Sequence, residues 1–447
     1  MIERIFLLSE NDTTVRRELI AGFTTFVTMS YIIFVQPGVM KESGMDFGAV
    51  LVATCISSAL ATFLMAFLAN YPIALAPAMG HNFFFTYTVC GAVALGGLGY
   101  PWQIALGSIF ISGTIFIILS LFGIRERIME IIPESLRSAI AVGIGLLIAM
   151  VGFQWSGLIV DSPGTLVMLG DLKSLPVILA VIGFVVIIVL HVLGTRGAIL
   201  IGIGITTILG LAFGLLNFMG ILGLPPSISP TLFKLDIKGV FSQPDFLTVI
   251  FIFLFLDLFD TVGTLIGVTK QAGLMKNGKL PRARGALLSD AIGTVAGASL
   301  GTSTITSYIE SAAGVAAGGR TGLANLVTGS LFILSLFFYP LVKTVGQEYI
   351  TAGGAKLYPA IAPALIFVGS IMMRNVKDIN WESSLDAIPA FLTIIIMPIT
   401  FSITEGIAFG FILSSLLFIV KGRMREINWM VHAISILFIL RYIFLRV

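Results

Sequence analysis

Apolar runs of about 15–23 residues recur along the whole chain, parted by short polar segments, and no other feature restricts its fold so much. A run of that length is what a helix needs to cross the hydrocarbon layer of a bilayer, about 30 Å thick. Backbone polar groups in hydrocarbon must be satisfied inside the protein, so the runs point to an all-α polytopic membrane protein. Composition agrees. Charged residues make up 11% of the 447 residues and hydrophobic ones 57%, whereas a soluble domain is about a quarter charged. The net charge of +3 is too small to suggest nucleic acid.

Spans are expected near 19–37, 48–69, 73–93, 103–123, 138–155, 174–193, 197–217, 246–268, 284–299, 302–318, 322–342, 358–373, 387–401 and 404–420. A further apolar stretch, 428–446, carries Arg441 and Arg446 and has no place in a fourteen-span count; the membrane interface is where it is expected. With the N-terminus inside, the inner segments hold 18 of the 26 Lys and Arg residues, among them Arg16, Arg17, Arg125, Arg127, Lys276, Lys279 and Arg320. That bias fits the positive-inside rule and predicts a cytoplasmic N-terminus, residues 1–18, with no cleavable signal.

Fourteen spans divide into seven and seven, and an odd repeat inverts the second copy relative to the first. The expected repeats are 19–217 and 246–420, joined by an extracytoplasmic loop at 218–245 and followed by a C-terminal segment, 421–447. A faint internal match, GAVLVATCISSALAT from Gly48 with GALLSDAIGTVAGAS from Gly285, supports this division.

The third span of each repeat is abnormal. The first reads IALAPAMGHNFFF, with Pro77, Gly80, His81 and Asn82 inside an apolar run; its counterpart, LGTSTITSYIESAAGVAAGG, is rich in hydroxyl and small residues such as Thr302, Ser303 and Thr304. Pro and Gly free backbone groups that cost several kcal/mol each in hydrocarbon. Interrupted segments at matching positions point to a polar site between the repeats, where half-helix N-termini offer N–H donors. A packing kink or a close helix contact is the plainer alternative.

Four acids lie well inside their spans: Asp257, Asp260, Asp290 and Glu310. A charged carboxylate at mid-span costs about 2.5–3.5 kcal/mol on insertion scales. With no Lys or Arg at mid-span beside them, these four need protons, polar partners or a cation, and hydrogen-bonded glue between helices is the competing use. Asp257 and Asp260, at i and i+3, share a helix face and are not expected to ionise together. His81 is either a packing residue or a titrating carrier, and Phe83 to Phe85 could stack on a planar ligand. Cys55 and Cys90 read as buried structural thiols. No phosphate-binding loop, HExxH or nucleophile elbow is present, so neither an enzyme nor a bound cofactor or metal is expected.

The segments NDTTVRRELIAGFTTFVTMSYIIFVQPGVM, ALAPAMGHNFFF, FLFLDLFDTVGTLIGVTKQAGLM and GTSTITSYIESAAGVAAGGRTGL resemble the azaguanine (AzgA-type) purine nucleobase permeases, a branch of the nucleobase cation symporter family. The resemblance covers nearly the whole chain. It implies fourteen spans in an inverted repeat, with a core domain (19–123 and 246–342) and a gate domain (138–217 and 358–420) through which a homodimer forms. It implies proton symport of a purine by movement of core against gate in the inner (plasma) membrane. By motif it places Asp260 and Glu310 on the base, with Asn82, Gly80, Thr302, Ser303, Thr304 and Phe83 around it, and assigns proton coupling to Glu310, Asp290, Asp257 and His81. Relatives read APGMGLNA at the first break; Ala78, His81 and Phe83 depart from that pattern. The competing reading is an anion transporter or channel of a related inverted-repeat fold, whose site would want a cation.

Overall fold

The computed structural model describes residues 2–122, 133–275, 280–351 and 353–444. Arg125, Arg127, Lys276, Lys279 and Arg446, which entered the charge count, lie outside the described residues.

Each expected span corresponds to a helical segment. Span 1 is α1 (Val15–Met29) followed by α2 (Ile32–Lys41). A tightened turn joins them, in which the Ile33 N–H donates to the Ser30 carbonyl at 3.0 Å. Span 2 is α3 (Phe47–Leu64), extended to Ala69 by a wider π turn. Span 3 begins with strand β1 (Leu75–Pro77) and becomes helical only at α4 (Met79–Phe83). Spans 4 to 7 are α5 (Trp102–Leu121), α6 (Glu134–Ser156), α7 (Leu175–Val192) and α8 (Ala198–Ala212). The second repeat follows the same plan: α9 (Phe246–Gln271), α10 (Ala283–Leu300), strand β2 (Ile305–Ser307) with α11 (Ser311–Ala316), and α12 (Leu323–Ser335). Its last three spans are α13 (Ala362–Met372), α14 (Ser384–Thr400) and α15 (Ile403–Val420).

Local chemistry sets several of these boundaries. Asp46 caps α3 by accepting from the Ala49 N–H at 2.7 Å, and Thr14 and Ser402 cap α1 and α15 in the same way. Proline stands in the first turn of α7 and of α13, where its missing N–H costs nothing.

The helices sort into two sets. In one, α1, α3, α5, α9, α10, α11 and α12 pack on one another; in the other, α6 packs on α13 and α14, α7 on α8, and α14 on α15. The first set is bound tightly through small residues. A Cβ on Gly293 of α10 would meet the Ala61 Cβ of α3 at 2.7 Å, so spans 2 and 9 approach more closely than larger residues permit. Glu18, buried in α1, accepts at Oε1 from the Arg320 N–H (2.8 Å) and at Oε2 from the Ala324 N–H (3.2 Å), which ties span 1 to the start of α12.

The two broken spans meet at the centre of this set. Strands β1 and β2 pair antiparallel, Leu75 with Ser307, Ala76 with Thr306 and Pro77 with Ile305. The pair is continued by Tyr308 N–H to Ala74 C=O (3.0 Å) and Ala78 N–H to Thr304 C=O (2.9 Å). A two-stranded ribbon leaves backbone groups unpaired along both outer edges, and here a threonine from each repeat takes them. Thr62 Oγ1 of α3 accepts from the Leu75 N–H (3.0 Å) and donates to the Leu75 carbonyl (3.1 Å). Thr294 Oγ1 of α10 does the same for Ile305, at 3.1 and 3.0 Å. This mirrored pair shows the inverted repeat in atomic terms. It also matches Thr62 to Thr294, not to Ser299, the residue opposite it when Gly48 is aligned with Gly285.

The last apolar stretch, expected at the interface, packs on the bundle over its described residues, 428–444. Its helix α16 (Trp429–Phe444) runs antiparallel beside α15. Ser415 bonds His432 at 2.7 Å, Ser435 donates to the Phe411 carbonyl at 2.7 Å, and Arg441 donates to Glu405 at 2.8 Å. The polar side chains of an otherwise apolar helix find partners on α15, and that fixes its place. Arg441 is 7% exposed and also reaches Asp245, just before α9, at 3.4 Å.

Candidate functional site

The crossing strands carry the expected acids on their flanks. Asp260, from the middle of α9, accepts at Oδ2 from Thr306 Oγ1 of β2 at 3.2 Å. Glu310 stands just before α11 and accepts at Oε1 from the Tyr31 hydroxyl at 2.8 Å. Asp260, Glu310, Tyr31 and Tyr308 lie close enough to act on one another electrostatically. Tyr308 in turn donates to the Pro77 carbonyl at 2.5 Å and so ties the second strand to the first. The two acids therefore share one neighbourhood.

Asp260 has protein on all sides yet presents accessible surface, and Glu310 is half-buried. This combination belongs to groups that line an internal opening. The course of that opening can be read along one stripe of α9. Val249, Phe253 and Leu256 are 2%, 0% and 4% exposed. Continuing the stripe past Asp260, Gly263, Gly267 and Lys270 are all exposed, and a Cβ at Gly263 would meet nothing within 4 Å. The same face is thus sealed above Asp260 and open below it, toward the face of the bundle where the N-terminus lies.

Aromatic contacts close the sealed side. Phe84, just past α4, meets Phe253 of α9 edge-on at 4.8 Å; Tyr87 meets Phe401, just past α14, at 6.4 Å, and Phe255 of α9 meets Phe411 of α15 at 5.6 Å. The Tyr358 hydroxyl donates to Glu42 at 2.6 Å, with its ring on Trp155 at 4.4 Å.

The remaining expected residues are distributed behind the strands. Asn82 is fully buried, donates to Gln36 Oε1 and accepts from Ser303 Oγ. Gln36 donates to Thr302 Oγ1 at 3.0 Å, and Thr302 lies 3.4 Å from Thr54. Asn82, Thr302 and Ser303 thus belong to one buried chain of polar groups that locks the segment before β2 to α2 and α4. Thr304 is also buried, and its hydroxyl has no partner among the described residues. Gly80 is partly open and faces α6, where an added Cβ would meet Ile144 at 3.0 Å. Phe83 is fully buried with Tyr87 stacked on its ring at 5.7 Å, so that face is already occupied. His81 is buried beside the main chain of Phe253 without a hydrogen bond of good geometry.

Asp257 and Asp260 diverge despite their spacing. Thr261 bridges Asp257 (3.2 Å) and Asp290 (2.5 Å) in a buried cluster, while Asp260 bonds to β2 and lies close enough to Asp290 to act on it electrostatically. No His, Cys, Asp and Glu grouping suited to a metal occurs among the described residues. Cys55 is buried and Cys90 half-buried, both as free thiols. Tyr31 and Gln36, which touch the expected site residues directly, were not singled out from the sequence. Only their polarity inside an apolar span could have marked them.

Comparison with known proteins gives concordant results. The Permease family matches residues 16–409. The chain is 44% identical to the adenine permease AdeP of Escherichia coli K12, over 100% of this chain and 96% of that protein. It is likewise 44% identical to the guanine/hypoxanthine permease PbuG of Bacillus subtilis, with both chains fully covered. Among solved structures, the transmembrane domain of the cyanobacterial bicarbonate transporter BicA is similar at a TM-score of 0.63 and 16% identity, over 87% of this chain and 97% of that one. At that identity the likeness concerns the fold alone.

Proposed function

The chain belongs to the Permease family, a multi-pass membrane protein with the inverted-repeat fold, and from that premise we propose that it imports purine nucleobases together with a proton. The observation that carries this reading is the pair of accessible carboxylates, Asp260 and Glu310, beside the crossing strands. A purine presents ring N–H groups, and often an exocyclic amine, along its edges. Ionised carboxylates accept such bonds strongly, and a base with the wrong donor pattern leaves buried acceptors unpaired. The relatives named as adenine and guanine/hypoxanthine permeases support the same substrate class.

Proton coupling follows from charge. Two ionised acids enclosed at mid-span cost several kcal/mol, and one proton removes one of those charges as the site closes. Glu310 is the proton carrier in this reading, with Asp290, Asp257 and His81 as the groups through which the proton could be shared. Asn82, Thr302, Ser303 and Thr304 hold the shape of the strands, Gly80 borders the base, and Phe83, fully buried under Tyr87, packs behind the site without touching it. The helix set containing the strands is the core, which moves against the other set, the gate; a homodimer forms through the gate. The charge bias supports a cytoplasmic N-terminus, and in this reading the exposed stripe below Asp260 faces the cytoplasm, in the inner (plasma) membrane. An anion transporter of the same fold would require a cation facing the strands, and the charged groups beside them are acids.

Cells lacking their own purine permeases and expressing this chain should accumulate radiolabelled hypoxanthine, guanine or adenine, and should cease to do so when the proton gradient is collapsed. Glu310→Gln and Asp260→Asn should each abolish accumulation while the protein stays folded in the membrane. Full uptake by both variants would refute the assignment.

A further inference from the structure

Span 1 holds Glu310 as a splint holds a limb. Along one stripe of α1, Ala21 and Thr25 lie against Gly314 and Gly319, where an added Cβ would collide with them, so α11 and its flanks rest directly on α1. One turn further on, Thr28 Oγ1 lies 3.4 Å from the Glu310 carbonyl. Tyr31, at the tightened turn between α1 and α2, completes the stripe with its 2.8 Å bond to the Glu310 carboxylate. Its ring is 2% exposed, so the hydroxyl does not swing freely. Main chain and side chain of Glu310 are therefore both set by span 1.

A carboxylate at a partly open site rotates about its last two torsions unless something holds it, and a base that binds must then bear the entropy of fixing it. We propose that Tyr31 is a positioning residue for substrate recognition: by occupying Oε1 of Glu310 it presents Oε2 to an N–H of the base. This rests on the reading of Glu310 as a base-binding group. The tyrosine contacts no substrate in this scheme; it acts through the carboxylate.

The test is Tyr31→Phe in the full-length protein, with uptake kinetics and equilibrium binding of radiolabelled purine measured alongside thermal unfolding. Tyr31 spares the base the cost of fixing this side chain, so without the hydroxyl affinity should fall about three- to ten-fold. KM should rise by that factor while the maximal rate stays within about two-fold and the protein still folds, melting somewhat lower for the lost bond. In the Glu310→Gln background, binding read by competition at high purine concentration should lose less than about two-fold on adding Tyr31→Phe, because the group that Tyr31 serves is already gone. An unchanged KM, a loss that persists undiminished in the Glu310→Gln background, or a fall in rate and melting temperature with KM constant would each overturn the proposal. Absence of purine binding by the unaltered protein would instead refute the proposed function on which it rests.

Discussion

Replacing Thr294 by valine keeps the shape of the side chain and removes a single hydroxyl, yet two backbone groups depend on that hydroxyl. The Ile305 N–H donates to it at 3.1 Å and the Ile305 carbonyl accepts from it at 3.0 Å. Both Thr294 and Ile305 are fully buried, so no water can substitute. An orphaned buried donor or acceptor costs about 1–3 kcal/mol, which puts the loss at about 2–6 kcal/mol for the pair. Since valine fills the same volume, no cavity contributes. A loss of even 2 kcal/mol lowers the folded-to-unfolded ratio about 30-fold. Thermal unfolding of the purified protein in one detergent should show Thr294→Val melting well below the parent and Thr294→Ser close to it. Thr62→Val, at the mirror position on Leu75, should cost a similar amount. Equal melting of the Val and Ser variants would refute the argument, since it would mean that the strand edge does not depend on the hydroxyl.

Two further outcomes follow from the ion pairs. Arg441→Gln leaves Asp245 and Glu405 without their shared cation, and breaking a buried pair on one side costs about 3–5 kcal/mol; melting should fall sharply, and less so for Glu405→Gln. At the sealed end, burial pushes the Glu348 carboxyl up, but the hydrogen bond and charge of Lys41, with Lys356, outweigh it and leave the group below its ordinary 4.5. A carboxyl lowered in the folded state contributes stability above that ordinary value and loses it as the pH falls through the folded one. Melting temperature should therefore drop on acidification below about 4.5, and Glu348→Gln should lessen the drop.

Much of this architecture could be read from the residues because a membrane leaves few options. Apolar run length located a helical segment for each expected span, and Pro77, Gly80 and the hydroxyl-rich 302–307 segment marked the two breaks, because backbone freed in hydrocarbon must be paired elsewhere. Asp260 and Glu310 stood out as charges with no local partner. What escaped were pairings across hundreds of residues: Tyr31 with Glu310, Glu18 with the start of α12, and Gln36 with Thr302. Polar residues of this kind carry no periodicity of their own. The i, i+3 spacing of Asp257 and Asp260 misled because neighbouring rows of one helix can face different neighbours; Thr261 draws the first toward Asp290, while β2 takes the second. The place of α16 was equally hidden, since an apolar helix with one arginine fits a membrane surface as well as a buried ion pair until Asp245 and Glu405 are located.

The three-residue ribbon of β1 and β2 has a bearing on how such a chain can be divided. Each half supplies one ribbon strand and the threonine for its outer edge, but the inner edge is always met by the other half. Neither half is a self-sufficient folding unit. A chain cut in the 218–245 loop would yield two fragments, each with a dangling extended segment in the bilayer. Only their reunion would restore the complete ribbon, so the two repeats depend on each other to fold.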